Sequence, residues 1–278
     1  MIYFTKTSIG YSHKKENKVC QDFSCSYKDS ERIIITACDG HGGSSYFRSD
    51  RGSKFASFAI LNALKNVDKT NYKLLSNKEF IDKIKLQILC EWNDSVEKDL
   101  STHPFTKEEL AKLSDEQKFG LKTNPETAYG TTLNAIMILG NYAVAVKLGD
   151  GGVFYFKDGD AHPVFEDDND NVANITCSIC QEKAFNYLHI TVMKKINLDG
   201  FMICTDGLLT PYQSYSNFRN SFVSPLLRKF SKKDATPEVE KFVVKLADKL
   251  GVGDDVSLGL ILKEPKKKRK KRKITKKK

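Results

Sequence analysis

The sequence has no apolar run approaching the roughly 18 to 20 residues that a membrane-spanning helix needs. Its opening stretch, MIYFTKTSIGYSHKK, also lacks the charged start, apolar middle and cleavage site of a secretory leader. These absences lead us to expect a soluble, non-secreted, cytoplasmic protein. The seven cysteines offer no disulfide framework: their number is odd, they are scattered, and Cys38, Cys90 and Cys204 lie inside apolar segments. Reduced thiols fit better. Cys177-Ser-Ile-Cys180 is a lone CxxC pair with no second pair and no histidine at ligand spacing, which argues against zinc. No internal repeat is visible.

Acidic residues are missing from the last stretch of the chain, Lys266 to Lys278, which holds 11 of the 45 Lys and Arg residues. Without that tail the chain has 34 basic residues against 35 acidic ones, so the formal +10 charge belongs to the tail and the body is nearly neutral. A run such as PKKKRKKRK repels itself and is expected to be disordered. It suits nucleic acid, an acidic membrane surface or an import receptor, and equally a solubilising role. Pro265 to Arg269 resembles a nuclear localisation signal, which would place the protein in the nucleus of a eukaryotic host.

Alternating or continuously apolar segments of strand length occur at Ile2–Ser8, Asp22–Tyr27, Arg32–Cys38, Thr131–Leu139, Tyr142–Leu148, Gly152–Lys157, Tyr187–Val192, Gly200–Cys204 and Val256–Leu262. Helical periodicity fits Ser45–Leu64, Asn77–Leu100, Asn217–Phe230 and Pro237–Leu250, the last with Thr236 as its cap. Strands with helices arriving in pairs argue for antiparallel sheets carrying helices on their outer faces, an α+β class. One folded body over residues 1–262 is expected. Residues 101–128 look like a polar insertion with a helical patch at Lys107–Leu113, and Phe165–Asn186 looks like a loop. Four acids in its EDDNDN stretch depart from calcium-loop spacing and lack the loop glycine.

In TACDGHGG, Thr36 to Gly43, an apolar strand ends in a carboxylate, a histidine and three glycines. Asp-Gly and Gly-Gly also make ordinary turns. The pattern recurs, however: Asp206 in FMICTDGL, Asp150 in VKLGDGG, and Asp254 and Asp255 in GVGDDVSLGLIL all sit beside glycine at strand ends. Acids are depleted in strands. Converging carboxylates would raise one another's pKa and oppose folding unless divalent cations intervened. An oxygen-only ligand set favours Mg²⁺ or Mn²⁺ over Zn²⁺.

QDF (Gln21–Phe23), DGHGG (Asp39–Gly43), GTTL (Gly130–Leu133), GDGG (Gly149–Gly152), TDGL (Thr205–Leu208) and GDDVS (Gly253–Ser257) follow one another in an order and spacing that resembles the metal-dependent type 2C serine/threonine protein phosphatases, bacterial-type members above all. The resemblance covers about residues 1 to 262. It implies a four-layer αββα sandwich of two antiparallel sheets flanked by helix pairs, with a two-metal site at one edge. It implies that Asp39 bridges both ions, that the Gly40 carbonyl binds one of them, and that Asp206 and Asp254 complete the other. By the same likeness Asp22 acts through metal-bound water, Asp150 and Asp206 hold a third ion, and His41 is the general acid.

Two Mg²⁺ or Mn²⁺ ions in such a site acidify a water for in-line attack on phosphorus and shield the phosphate charge. An alkoxide leaves poorly, so a proton from His41 would speed its departure. None of the seven thiols is assigned to chemistry. The eukaryotic phosphate-clamping arginine has no counterpart: its place holds Asn17, and His13, Lys14 or Lys18 would substitute. Gly151 stands where a serine is usual, and Asp254-Asp255 where Asp-Asn is usual. The implied partners are a phosphorylated protein substrate and an opposing Ser/Thr kinase, with a monomer expected. The competing expectation is a catalytically silent scaffold of the same fold that binds a phosphoprotein or kinase.

Overall fold

The computed structural model describes residues 1–68, 70–165, 177–195 and 197–264. The polybasic tail and the EDDNDN stretch lie outside these. Ten strands occur among the described residues: β1 (Ile2–Ser8), β2 (Phe23–Lys28), β3 (Arg32–Cys38), β4 (Leu133–Leu139), β5 (Tyr142–Leu148), β6 (Gly152–Lys157), β7 (Asp160–Pro163), β8 (His189–Lys194), β9 (Gly200–Cys204) and β10 (Val256–Leu262). They form two antiparallel five-stranded sheets, ordered β1-β10-β9-β6-β7 and β2-β3-β4-β5-β8.

The central strands β3 and β4 are buried at every position, which explains their continuous apolar runs. Alternate residues serve opposite faces. Ile33, Ile35, Ala37, Ile136 and Ile138 meet Val153, Phe201, Ile203 and Ile261 of the other sheet. Ile34, Cys38, Leu133, Ala135 and Met137 turn outward to a helical layer. That layer is built on α2 (Ser49–Lys65) and α3 (Lys78–Thr102), after a short α1 (Tyr11–Lys15) near the N-terminus. Ala56, Ile60 and Leu64 of α2 and Ile88 and Trp92 of α3 are its buried residues.

Four further short helices follow, α4 (Lys107–Ala111), α5 (Asp115–Thr123), α6 (Ala184–Tyr187) and α7 (Asp206–Leu209). The outer face of the first sheet is covered by α8 (Tyr215–Phe218), α9 (Ser224–Phe230) and α10 (Thr236–Lys245), through Phe218, Leu226, Phe230, Val239 and Val243. Two sheets between two helical layers make the expected αββα sandwich. No helix among the described residues is long and apolar enough to cross a membrane.

Several details differ from the sequence pattern. Four residues with a terminal proline make too short a signal for β7, yet Asp158 and Gly159, at φ 53° and 81°, turn the chain back to pair it with β6. Thr236 does not cap α10; it lies in the first turn, and Asp234 accepts from both its N–H (2.9 Å) and its hydroxyl (2.7 Å). The 101–128 stretch contains α4 and α5, each opened by a reciprocal capping box, at Thr106/Glu109 and Ser114/Gln117. Its Leu113, Leu121 and Ala128 are buried in the α2–α3 core. Within Phe165–Asn186, read as loop, α6 begins at Ala184 and delays β8 to His189.

Candidate active site

Antiparallel register decides where the acids emerge. Phe23 at the start of β2 faces Cys38 at the end of β3. Leu148 closes β5 opposite Leu133, which opens β4. Gly152 opens β6 opposite Cys204, which closes β9, and Val256 opens β10 beside Ser8. Asp22, Asp39, Asp150, Asp206 and Asp254, each one or two residues beyond a strand end, therefore leave their sheets at one edge of the sandwich. The Thr205 hydroxyl ties the two sheets together there by donating to Asp22 Oδ2 at 2.8 Å.

Carboxylate oxygens of Asp39, Asp150 and Asp206 lie within 4.8 Å of one another. Asp254 stands exposed at the rim, where its Oδ1 accepts from the Asp255 N–H at 2.8 Å. Its charge still reaches Asp39 and Asp206. Burial, then the negative charges of Asp22 and Asp206, push the Asp39 carboxyl well above the usual carboxylate range. Burial and the Asp255 charge do the same to Asp22, opposed by its bond from Thr205. Asp206 is also raised, chiefly by burial, while its hydrogen bond with Asp39 pulls it back. Repulsion of this kind disappears when a divalent cation shares the oxygens. Oxygen donors alone suit Mg²⁺ or Mn²⁺, so the residues present fit the implied ions.

The backbone around Asp39 is clamped by the GTTL segment. Thr131 Oγ1 and the Thr132 N–H donate to the Asp39 carbonyl at 2.7 and 2.8 Å, and the Asp39 N–H donates to Thr132 Oγ1 at 3.1 Å. Gly40 is required by crowding: a Cβ there would lie 2.6 Å from the Gln21 carbonyl oxygen and 2.7 Å from that of Ser49. The His41 carbonyl accepts from Gln21 Nε2 at 3.0 Å and Ser49 Oγ at 2.8 Å, and its ring packs edge-on to Tyr46 at 4.9 Å. Burial holds the His41 imidazole below its ordinary pKa, with the Asp150 charge acting the other way.

Two buried polar atoms at this edge, His41 Nε2 and Gln21 Oε1, have no hydrogen-bond partner among the described residues. Such atoms mark places where water, an ion or substrate completes the site. Gln21 was legible only as a neighbour of Asp22; its bonds to the His41 carbonyl and to Ser49 Oγ were not. The N-terminal candidates each have an acid of their own. His13 Nδ1 lies 3.0 Å from Asp255 Oδ2, Lys14 Nζ lies 3.2 Å from Asp248, and Lys18 Nζ lies 2.6 Å from Glu16. Asp255, buried beside the rim, received no role from sequence alone. It accepts from the N–H groups of Gly10 (2.7 Å) and Gln21 (2.6 Å). All seven cysteines are free thiols.

The chain belongs to the Protein phosphatase 2C family, whose model matches residues 9–244. That span includes Asp22, Asp39, His41, Asp150 and Asp206 and stops short of Asp254. Solved structures share the fold. A bacterial serine phosphatase aligns with a TM-score of 0.60 at 16% identity, over 96% of this chain and 99% of that one. The catalytic domain of the serine threonine protein phosphatase PstP, in complex with 2 manganese ions, aligns at 0.54 and 16% identity, over 93% and 96%. PppA, a key regulatory component of T6SS in Pseudomonas aeruginosa, aligns at 0.59 and 15% identity, over 93% and 96%. No curated protein matches the chain.

Proposed function

We propose that this chain is a Mg²⁺- or Mn²⁺-dependent phosphatase that releases phosphate from phosphoserine or phosphothreonine in a protein. The observation that carries the proposal is the meeting of Asp39, Asp150 and Asp206 within 4.8 Å, with burial and neighbouring negative charge making Asp39 and Asp206 harder to ionise without a cation. Asp39, Asp206, Asp254 and the Gly40 carbonyl would hold two ions, with Asp22 behind them and Asp150 available with Asp206 to a third. Bound there, the ions supply neutralisation of phosphate charge and acidification of water.

The chain's own residues orient and protonate. Thr131 and Thr132 fix the Asp39 backbone. His41, with its Nε2 buried and unpartnered among the described residues, gives a proton to the departing serine or threonine oxygen. Burial weakens its hold on that proton, and an arriving phosphate dianion together with Asp150 strengthens it. With His13, Lys14 and Lys18 each facing an acid, the phosphate charge falls to the metal ions.

The test is phosphate release from an aryl phosphate and from a phosphopeptide during titration with Mn²⁺. Asp39→Asn and Asp206→Asn are expected to abolish it. A folded protein that stays inactive at every Mn²⁺ concentration would overturn the proposal. The silent-scaffold alternative separates by calorimetry, because a scaffold that has lost the site gives no heat of Mn²⁺ binding.

A further inference from the structure

A cleft of about 450 Å³ opens where β6 and β7 face the chain from α7 to α8, and Lys147, Asp150, Phe154, Leu209, Tyr212 and Tyr215 are among its lining. Its volume falls within the roughly 300 to 1,000 Å³ of ligand pockets. Phe154 and Tyr215 stack at 6.4 Å between ring centres. Tyr215 is 44% exposed, high for so large an aromatic ring, and its hydroxyl donates to the Ala161 carbonyl of β7, which fixes the ring in place. Asp150 belongs both to the cleft wall and to the carboxylate group of the active site. Lys147 puts a positive charge at that end, suited to an anionic guest.

An occupant must therefore be apolar where the aromatic rings stand and anionic, or next to an anion, where Lys147 and the cations proposed at the Asp150 cluster stand. A phosphopeptide meets both conditions. An extended chain advances roughly 3.3 to 3.6 Å per residue, so side chains one to three positions from a phosphoserine held at the acids sample the cleft over roughly 3 to 11 Å from it. We propose that this cleft takes an aromatic or long aliphatic side chain flanking the phosphorylated residue, and that it makes the enzyme select substrates carrying one. The proposal rests on the phosphatase reading of the acidic edge and names the substrate class for it.

The experiment uses the full chain with Mn²⁺ and phosphoserine peptides that differ only in Phe or Ala at one position, scanned over three residues on either side. At one position at least, Phe is expected to raise kcat/KM by about tenfold or more, the usual discrimination of an apolar pocket. Tyr215→Ala is expected to bring the Phe-to-Ala ratio towards one; a ratio is insensitive to any general loss of activity. The same peptides carrying a non-hydrolysable phosphonate, followed by fluorescence anisotropy, read the preference as affinity. They settle the matter of the cleft even if no turnover is found and the phosphatase reading fails. Equal kcat/KM and equal affinity for Phe and Ala peptides at every position would overturn the proposal. So would a preference that Tyr215→Ala leaves unchanged.

Discussion

Asp255 illustrates how much one carboxylate can organise through the backbone around it. Its two oxygens take the N–H groups of Gly10 and Gln21, and His13 Nδ1 stands against one of them. The segment that carries Asp22 is thereby fastened to the start of β10. Asp255→Ala leaves the buried Gly10 N–H and the partly buried Gln21 N–H without their acceptor and is expected to lower stability by about 1 to 3 kcal/mol in all; Asp255→Asn keeps one oxygen and loses less. Denaturant melts of both variants measure this. Asp39 has the opposite signature. A carboxyl whose pKa rises on folding binds its proton more tightly in the native state, so native stability is lost as pH climbs from about 4, the ordinary carboxylate value. Asp39→Asn should therefore raise the melting temperature of the metal-free protein near pH 7 and change it little near pH 4. With Mn²⁺ added the order reverses, because only the wild-type site gains from binding. For His41, leaving-group chemistry is the discriminating measurement. His41→Ala is expected to slow a phosphoserine peptide by about 10² to 10⁴ and an activated aryl phosphate far less, since a stable phenolate needs no proton to leave.

At the scale of elements, legibility followed length and alternation. β3 could be read because seven residues in a row are buried on two covered faces. β7, four residues long and half-exposed, could not be separated from a turn. The helical patch read at Lys107–Leu113 corresponds to α4, whereas α5, with only Leu121 buried, left too little periodicity to be read. Their attachment is also long-range. Arg48, only 3% exposed, donates to Glu109 at 2.8 and 2.9 Å, to the carbonyls of His103 and Pro104, and to the Tyr129 hydroxyl. It precedes α2 and lies five residues after Gly43, the last glycine of the Asp39–Gly43 turn. Glu109→Ala removes the nearer of the fork's two charged partners, Asp99 remaining at 3.5 Å, and should lower stability by about 1.5 to 3 kcal/mol, measured by thermal or denaturant unfolding. The site was legible as a set of acids at strand ends. The backbone-holding role of Asp255 was not, because Asp254 and Asp255 are adjacent in sequence and differ in the direction that the opening of β10 gives them.

At the scale of the whole molecule, charge and architecture are separate. The body is nearly neutral and the excess of positive charge lies in residues 266–278. Binding to a polyanion, such as nucleic acid or an acidic vesicle, should weaken steeply with salt and vanish on deleting those residues, while hydrolysis of an aryl phosphate is unaffected. Affinity measured from low to high salt for both forms checks this. The pairing of β1 with β10 adds a directional consequence. Ser8 faces Val256 at the acidic edge, whereas Ile2 faces Leu262 at the other end, where the Met1 amine meets Glu264 at 2.8 Å. Seven residues of strand at about 3.4 Å each separate the two poles by roughly 20 Å. A partner bound through residues 266–278 would therefore attach beyond Glu264, at the pole remote from the acids.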